Sequence, residues 1–158
     1  MAGIDGVVVT HGTDTLEETA FFLDLTTPST IPVVVTGAMR SSNEIGADGN
    51  YNFLSAVRVA ASDQARGMGC LVVMNDEIHT ARFVTKTHTT NVSTFRTPSF
   101  GPIGLVTKNG PRFFLKNCCK KGWPRSITWW RTSICSSVRR DGWHLVRRAA
   151  ERNRWPGD

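Results

Sequence analysis

The sequence lacks several features that define whole classes of protein. Its longest uninterrupted apolar run, Cys70–Met74, has five residues, whereas a transmembrane helix needs about 20. The first six residues contain no basic region followed by a long apolar core, so they do not form a secretory signal. As printed, the chain is predicted to be cytoplasmic. A parent protein with an upstream signal would instead be secreted or periplasmic.

Motifs for metals and nucleotides are also missing. No Cys pair has the two-to-four-residue spacing typical of a structural zinc site. There is no Gly-x-x-x-x-Gly-Lys-Ser/Thr loop and no Gly-x-Gly-x-x-Gly fingerprint. We therefore expect no metal site and no nucleotide cofactor. We interpret the four histidines, which show no metal-ligand spacing, as polar surface or loop residues: His11, His79, His88 and His144.

Charge and aromatic content divide the 158 residues into two parts. Residues 1–115 carry eight Lys/Arg and ten Asp/Glu, whereas residues 116–158 carry eleven and three, which gives net charges of −2 and +8. All five Trp and three of the four Cys lie in the second part. We predict an α/β domain over 1–115 and a basic, poorly ordered tail over 116–158.

The tail has two interpretations. Arg bound to phosphate and Trp stacked on bases would make it a nucleic-acid-binding patch. Alternatively, the reading frame shifts near residue 116, and the tail was never selected to fold. We favour the shifted frame because charge and composition change abruptly at one point. We accordingly expect neither a nucleic acid nor a membrane as partner.

Alternating patterns over 1–115 predict an α/β fold. The order strand–helix–strand–helix–strand indicates a mostly parallel sheet with helices on both faces. Apolar runs bounded by glycine or polar residues predict buried strands. The predicted strands are 5–10, 31–36 and 70–74, with shorter extended pieces at 82–85 and 103–107.

Two helices are predicted between the strands. The first begins around Thr13–Thr15, with capping-box spacing from Asp14 to Glu17 or from Thr15 to Glu18, and ends before Pro28. It presents an apolar stripe to the core, formed by Leu16, Ala20 and Leu23. The second covers 50–61, and its predicted core positions are Phe53, Ala56, Val57, Ala60 and Ala61.

A hydroxyl and a carboxylate, Thr13 and Asp14, follow the first predicted strand, at the sheet edge where α/β proteins bind ligands. The simpler interpretation is that both cap a helix. Lys86, 72 residues after Asp14, is either a solvated lysine or the charge in a Thr-Lys-Asp group. Burial lowers the pKa of a lysine and a carboxylate raises it. A paired Lys86 would therefore act first by charge and positioning, and second by proton transfer.

Five ordered segments resemble the type II L-asparaginases of the asparaginase/glutaminase family. They are Thr10–Thr19, Thr36–Arg40, Ala47–Gly49, Val72–Asp76 and Val84–Thr87. The resemblance implies a partial asparaginase N-terminal α/β domain and hydrolysis of asparagine, often with slower hydrolysis of glutamine, without a cofactor. It assigns Thr13, Asp14 and Lys86 to a second catalytic group. It also assigns substrate binding to Thr13, Asp14 and the Ala38 carbonyl, and it implies a homotetramer.

The chain departs from the family pattern in ways that bear on activity. The resemblance places the first nucleophile in a Thr-Gly-Gly-Thr segment, and the sequence contains no such segment. Residues 116–158 do not resemble the family's C-terminal domain. We therefore expect an incomplete asparaginase that is inactive alone. The alternatives are a non-catalytic module that binds amino acids through Asp14, and a nucleic-acid binder that uses the basic tail.

Overall fold

The structure, a computed structural model, describes residues 3–27, 30–115 and 143–145. Its elements are β1 Val7–Thr10, α1 Leu16–Thr26, β2 Val33–Thr36, α2 Gly49–Ala60, a 3₁₀ turn Asp63–Ala65, β3 Cys70–Met74, β4 Glu77–Thr80, β5 Thr85–Lys86, β6 Phe95–Arg96, β7 Gly104–Thr107, β8 Gly110–Phe113 and β9 Trp143–Leu145. None of the helices described is long and apolar enough to cross a membrane. Apart from β9, the predicted tail 116–158 lies outside the described residues, so its disorder and the boundary at residue 115 remain predictions.

Seven strands form one sheet in the order β8-β7-β4-β3-β2-β1-β9, and β5 and β6 form a separate pair. β2 lies between β1 and β3 and runs parallel to both. The other neighbouring strands pair antiparallel. The α/β prediction is confirmed, and parallel pairing is confined to β1, β2 and β3. All residues of β2 and β3 are buried, as expected for strands covered on both faces.

The two helices cover opposite faces of the parallel strands, as predicted. Side chains of α1 pack in one apolar cluster, which includes Leu16, Ala20, Val9, Val35 and Val72. Side chains of α2 pack in the other, which includes Ala56, Val59, Val8, Val34 and Leu71. The strand order advances in one direction from β1 to β3. Because the helices lie on opposite faces, one of the two β–α–β connections is left-handed, whereas about 98% of such connections are right-handed.

The first helix keeps its predicted core face but not its predicted cap. Leu16 and Ala20 are fully buried, and α1 ends at Thr26, as Pro28 predicts. The capping-box prediction is wrong, because Thr15 is the N-cap and its side chain makes no capping hydrogen bond. The Glu17 carboxylate binds a distant strand instead.

The second helix buries a face that is displaced from the prediction. Ala56 and Ala60 are buried as predicted, and Val57 packs at the margin of the cluster. Phe53 and Ala61 are exposed, so their assignment to the core is wrong. The buried face includes two polar residues that an apolar pattern does not detect, Asn52 and Ser55.

Between β3 and residue 115, the chain forms hairpins and no further helix. Asn75 and Asp76 both have positive φ, 50° and 64°, which is the backbone of a two-residue type I′ turn. They reverse the chain so that Met74 pairs with Glu77 in β4, a strand that the sequence analysis did not predict. The extended piece predicted at 82–85 is wrong for most of its length, because the chain turns there and β5 begins at Thr85.

Candidate active site

The carboxyl ends of β1 and β2 flank an open crevice. From β1 the chain passes to α1 on one face, and from β2 it passes to α2 on the opposite face. Open α/β sheets bind ligands where the connections of neighbouring strands diverge in this way. This crevice, called the cleft below, has a volume of about 340 Å³ and is lined by Thr10, His11, Gly12, Thr36, Gly37, Ala38, Gly49 and Phe53.

Thr13, Asp14 and Lys86 come together at this edge of the sheet. The Lys86 Nζ donates to Asp14 Oδ1 at 2.8 Å and to Thr13 Oγ1 at 3.2 Å. The Lys86 side chain is 17% exposed, whereas that of Asp14 is 96% exposed. One ammonium group therefore joins a hydroxyl and a carboxylate that the chain places more than 70 residues away from it.

The ion pair changes the titration of Asp14. The hydrogen bond from Lys86, and then the positive charge of Lys86, hold the pKa of this carboxyl below its ordinary value of 3.8. Asp14 is consequently an anion at neutral pH, and its second oxygen makes no hydrogen bond within the described part of the chain. That oxygen is free to accept a hydrogen bond from a cationic ligand.

Thr13 also connects this group to the cleft. A Cβ placed on Gly37, which lines the cleft, would lie 3.3 Å from Thr13 Cγ2 and 2.6 Å from the His11 carbonyl oxygen. The end of β2 and the turn after β1 are therefore in close contact at Gly37. Ala38, the fourth site residue predicted from the sequence, lines the cleft itself.

A buried polar network holds the loop that contains Ala38. Asn52, 1% exposed, donates to the Gly37 carbonyl at 3.1 Å and to Asp48 Oδ2 at 2.9 Å, and it accepts from the Asn75 N–H at 3.0 Å. The Asp48 carboxylate accepts the N–H groups of Met39 and Arg40. The sequence analysis gave no role to Asp48 or Asn52, although Asp48 belongs to one of the quoted motifs.

A second carboxylate that the sequence analysis missed binds the strand carrying Lys86. Glu17 accepts a hydrogen bond from the Lys86 backbone N–H and another, at 3.4 Å, from Thr85 Oγ1. Since the contact joins residues 69 positions apart, no local pattern could have revealed it. The spacing of Glu17 from Asp14 instead suggested a capping box, which does not form.

One histidine, His79, differs from its predicted role as a surface or loop residue. His79 is 0% exposed and lies within β4, so its interpretation as a surface or loop residue is wrong. Its Nδ1 lies 3.0 Å from Thr97 Oγ1, and its Nε2 lies 3.2 Å from Glu77 Oε2. Burial lowers the pKa of His79, and Glu77 opposes that shift. Among the described residues, no three His, Cys, Asp or Glu side chains are placed to hold a metal ion.

The model of the asparaginase family, described as "Asparaginase, N-terminal", matches residues 1–118. This chain belongs to the asparaginase family. Over 103 residues it is 55% identical to L-asparaginase 2 of Bacillus subtilis, an alignment that covers 65% of this chain and 28% of that protein. Over 102 residues it is 55% identical to the probable periplasmic L-asparaginase of Haemophilus influenzae, covering 65% of this chain and 29% of that protein.

The fold agrees with a solved asparaginase. A crystal structure of the probable cytoplasmic L-asparaginase from Campylobacter jejuni superposes with a TM-score of 0.70 at 49% identity, covering 72% of this chain and 35% of that one. This member of the asparaginase family therefore spans about a third of the length of the relatives it matches. Both a periplasmic and a cytoplasmic protein occur among those relatives.

Proposed function

We propose that Thr13, Asp14 and Lys86 form the second catalytic group of an L-asparaginase, an enzyme that hydrolyses asparagine to aspartate and ammonia. The observation that carries the proposal is the Lys86 ammonium, which bridges the Thr13 hydroxyl and the Asp14 carboxylate beside the cleft. Membership of the asparaginase family supports it. Glutamine, which is one methylene longer, is the second substrate to test.

The hydrogen-bond geometry suits Thr13 for orienting the group that reacts. Its Oγ1 accepts from Lys86 Nζ, so the hydroxyl proton remains available to a carboxamide oxygen or a water molecule. Lys86 acts as a fixed positive charge first, because it is bonded to a carboxylate, and as a proton donor second. The helix that begins at Leu16 adds further positive potential at the same edge.

Asp14 and Ala38 are proposed to hold the substrate. Asp14 is exposed, and one of its oxygens has no hydrogen-bond partner among the described residues, which suits the α-ammonium group of an amino acid. The Ala38 carbonyl is proposed to lie near the leaving ammonia. Ala38 lines the cleft, and Asp48 fixes the two peptide N–H groups that follow it.

We expect negligible ammonia release from these 158 residues alone, because they contain no Thr-Gly-Gly-Thr segment.

The first test is calorimetric binding of aspartate, with ammonia release from asparagine measured in parallel. Asp14→Asn is expected to weaken binding about tenfold, the effect of losing a hydrogen bond to a charged group. Thr15→Ala is the matched control, since Thr15 is exposed and its side chain makes no capping bond. Turnover at enzymatic rates that Thr13→Ala or Lys86→Ala abolishes would show that this chain has a nucleophile of its own.

A chimera distinguishes an enzyme segment from a module that only binds amino acids. Residues 5–104 of this chain replace the aligned segment of the Bacillus subtilis relative, which supplies the rest of an asparaginase. We expect the chimera to release ammonia, and we expect Lys86→Ala to abolish the release while Thr15→Ala leaves it unchanged. A folded chimera that binds aspartate without hydrolysing asparagine would support the binding module. The same chimera, examined by gel filtration, tests the proposal that the intact protein is a homo-oligomer.

A further inference from the structure

Two carboxylates of α1, Glu17 and Asp24, bind the segment of chain that carries Lys86. Glu17 accepts the backbone N–H of Lys86, and its other oxygen lies 3.4 Å from Thr85 Oγ1. Asp24 accepts from Arg82 Nε at 2.8 Å. The segment 82–86 is thus attached to the helix at both of its ends.

The spacing along α1 allows both attachments. Glu17 and Asp24 are seven residues apart, so they lie on the same face of the helix, about 10.5 Å apart at 1.5 Å per residue. Asp24 is 2% exposed, and its second oxygen accepts the Cys70 N–H at 2.9 Å. Because a buried carboxylate without its partners is costly, Asp24 holds Arg82 at a defined place beside the start of β3.

The main sheet does not place Lys86. β5 has two residues and pairs only with β6, outside the seven-stranded sheet. Apolar burial of Val84 and Phe95 holds this part of the chain against the α1 side of the core, but apolar contact is not directional. Among the described residues outside the β5–β6 pair, the directional bonds of β5 are those to Glu17 and those from the Lys86 ammonium itself.

We propose that Glu17 and Asp24 form a carboxylate clamp that sets the position of the Lys86 ammonium relative to Thr13 and Asp14. Thr13 and Asp14 lie immediately before α1, and the clamp lies on α1, so one helix fixes both sides of the catalytic contact. Glu17 binds the backbone of the residue whose side chain reaches Asp14, which makes it the decisive positioning residue. The importance of the clamp for catalysis rests on the proposed function. Its effect on the position of the Lys86 ammonium does not depend on that function.

The test compares Glu17→Gln and Glu17→Ala with Glu18→Ala in the full chain. Glu18 is the next residue of the same helical turn, it is exposed, and its side chain makes no hydrogen bond or ion pair with the described residues. The first readout is the Asp14 titration by carbon-13 NMR, which reports the proximity of the Lys86 ammonium. The second is the rate at which an amine-reactive ester acylates Lys86. Neither readout requires catalysis.

We expect Glu17→Ala to raise the pKa of Asp14 towards 3.8 and to accelerate acylation of Lys86 about tenfold, the effect of releasing a charge-assisted hydrogen bond. Glu17→Gln, which retains an acceptor oxygen, is expected to lie between Glu17→Ala and the wild type. Glu18→Ala is expected to match the wild type. If both Glu17 variants fold and leave the Asp14 titration and the acylation rate unchanged, the clamp is refuted. Failure of the wild type to bind aspartate would instead refute the proposed function and leave the clamp standing.

Discussion

Replacing Gly37 by Ala should separate the ends of β1 and β2. A Cβ on Gly37 would lie 2.6 Å from the His11 carbonyl oxygen, a backbone atom that no side-chain rotation can move. Reaching an ordinary contact of 3.4 Å requires the two chains to separate by about 0.8 Å. The 2.9 Å hydrogen bond from the His11 N–H to the Thr36 carbonyl would then exceed the usual hydrogen-bond length.

The magnitude follows from three contributions. Overpacking of this kind costs about 1–3 kcal/mol, and the lost hydrogen bond costs about 1 kcal/mol. Alanine offsets about 0.4–1 kcal/mol by reducing the entropy of the unfolded chain. Gly37 does not have a positive φ, so backbone strain adds nothing. We expect a net loss of about 2 kcal/mol in the free energy of unfolding.

Urea denaturation followed by circular dichroism measures this loss. Gly12→Ala is the matched control, because Gly12 lies on the same cleft, does not have a positive φ, and has nothing within 4 Å of its Cβ position. The control should remain within about 0.5 kcal/mol of the wild type. Equal stability of the two variants would contradict the close contact at Gly37.

Three further results are expected. Lys86→Met should raise the pKa of Asp14 towards 3.8 in a carbon-13 NMR titration. A carboxyl whose pKa is lowered in the folded state stabilises the fold at pH values above its ordinary pKa, and this stabilisation is lost as the pH falls through the folded pKa. The difference in stability between Lys86→Met and the wild type should therefore vanish over that pH range. A difference that stays constant with pH would contradict the pairing. Burial lowers the pKa of His79 below 6.5, so the stability of the wild type should fall as the pH drops from 6.5 through the pKa of the folded state. In His79→Gln, the urea concentration at the unfolding midpoint should depend less on pH over that range. Asn52→Leu should cost about 2–4 kcal/mol in urea denaturation, since it leaves buried partners unsatisfied, and a cost below about 0.5 kcal/mol would refute the network.

Local pattern was sufficient to predict the central elements. The Val-rich runs before Thr10 and Thr36 gave β1 and β2, and the Leu16–Ala20 spacing gave the core face of α1. These elements are determined by which residues are apolar and at what period, which a sequence displays directly. Thr13, Asp14 and Ala38 follow β1 and β2, and they lie at the predicted sheet edge because the carboxyl ends of parallel strands meet there. Lys86 reaches the same edge from β5, which lies outside the main sheet.

Contacts between distant residues could not be predicted in this way. The spacing from Asp14 to Glu17 fits a local capping box, but Glu17 instead binds the backbone of Lys86, 69 residues away. Asn52 is polar, so an apolar pattern places it on the surface, yet three hydrogen-bond partners retain it in the interior. Asn75 and Asp76 did offer a local signal, because Asn and Asp tolerate positive φ in tight hairpins.

The small size of the β5–β6 pair has a consequence for motion. Local opening costs least where few backbone hydrogen bonds must break, and each of these strands has two residues that pair outside the main sheet. The apolar contacts of Val84 and Phe95 oppose this opening. The arm bearing Lys86 is nevertheless expected to open while β1, β2 and β3 remain closed. Its amide hydrogens should exchange with deuterium before those of β3, and each such opening would separate the Lys86 ammonium from Asp14.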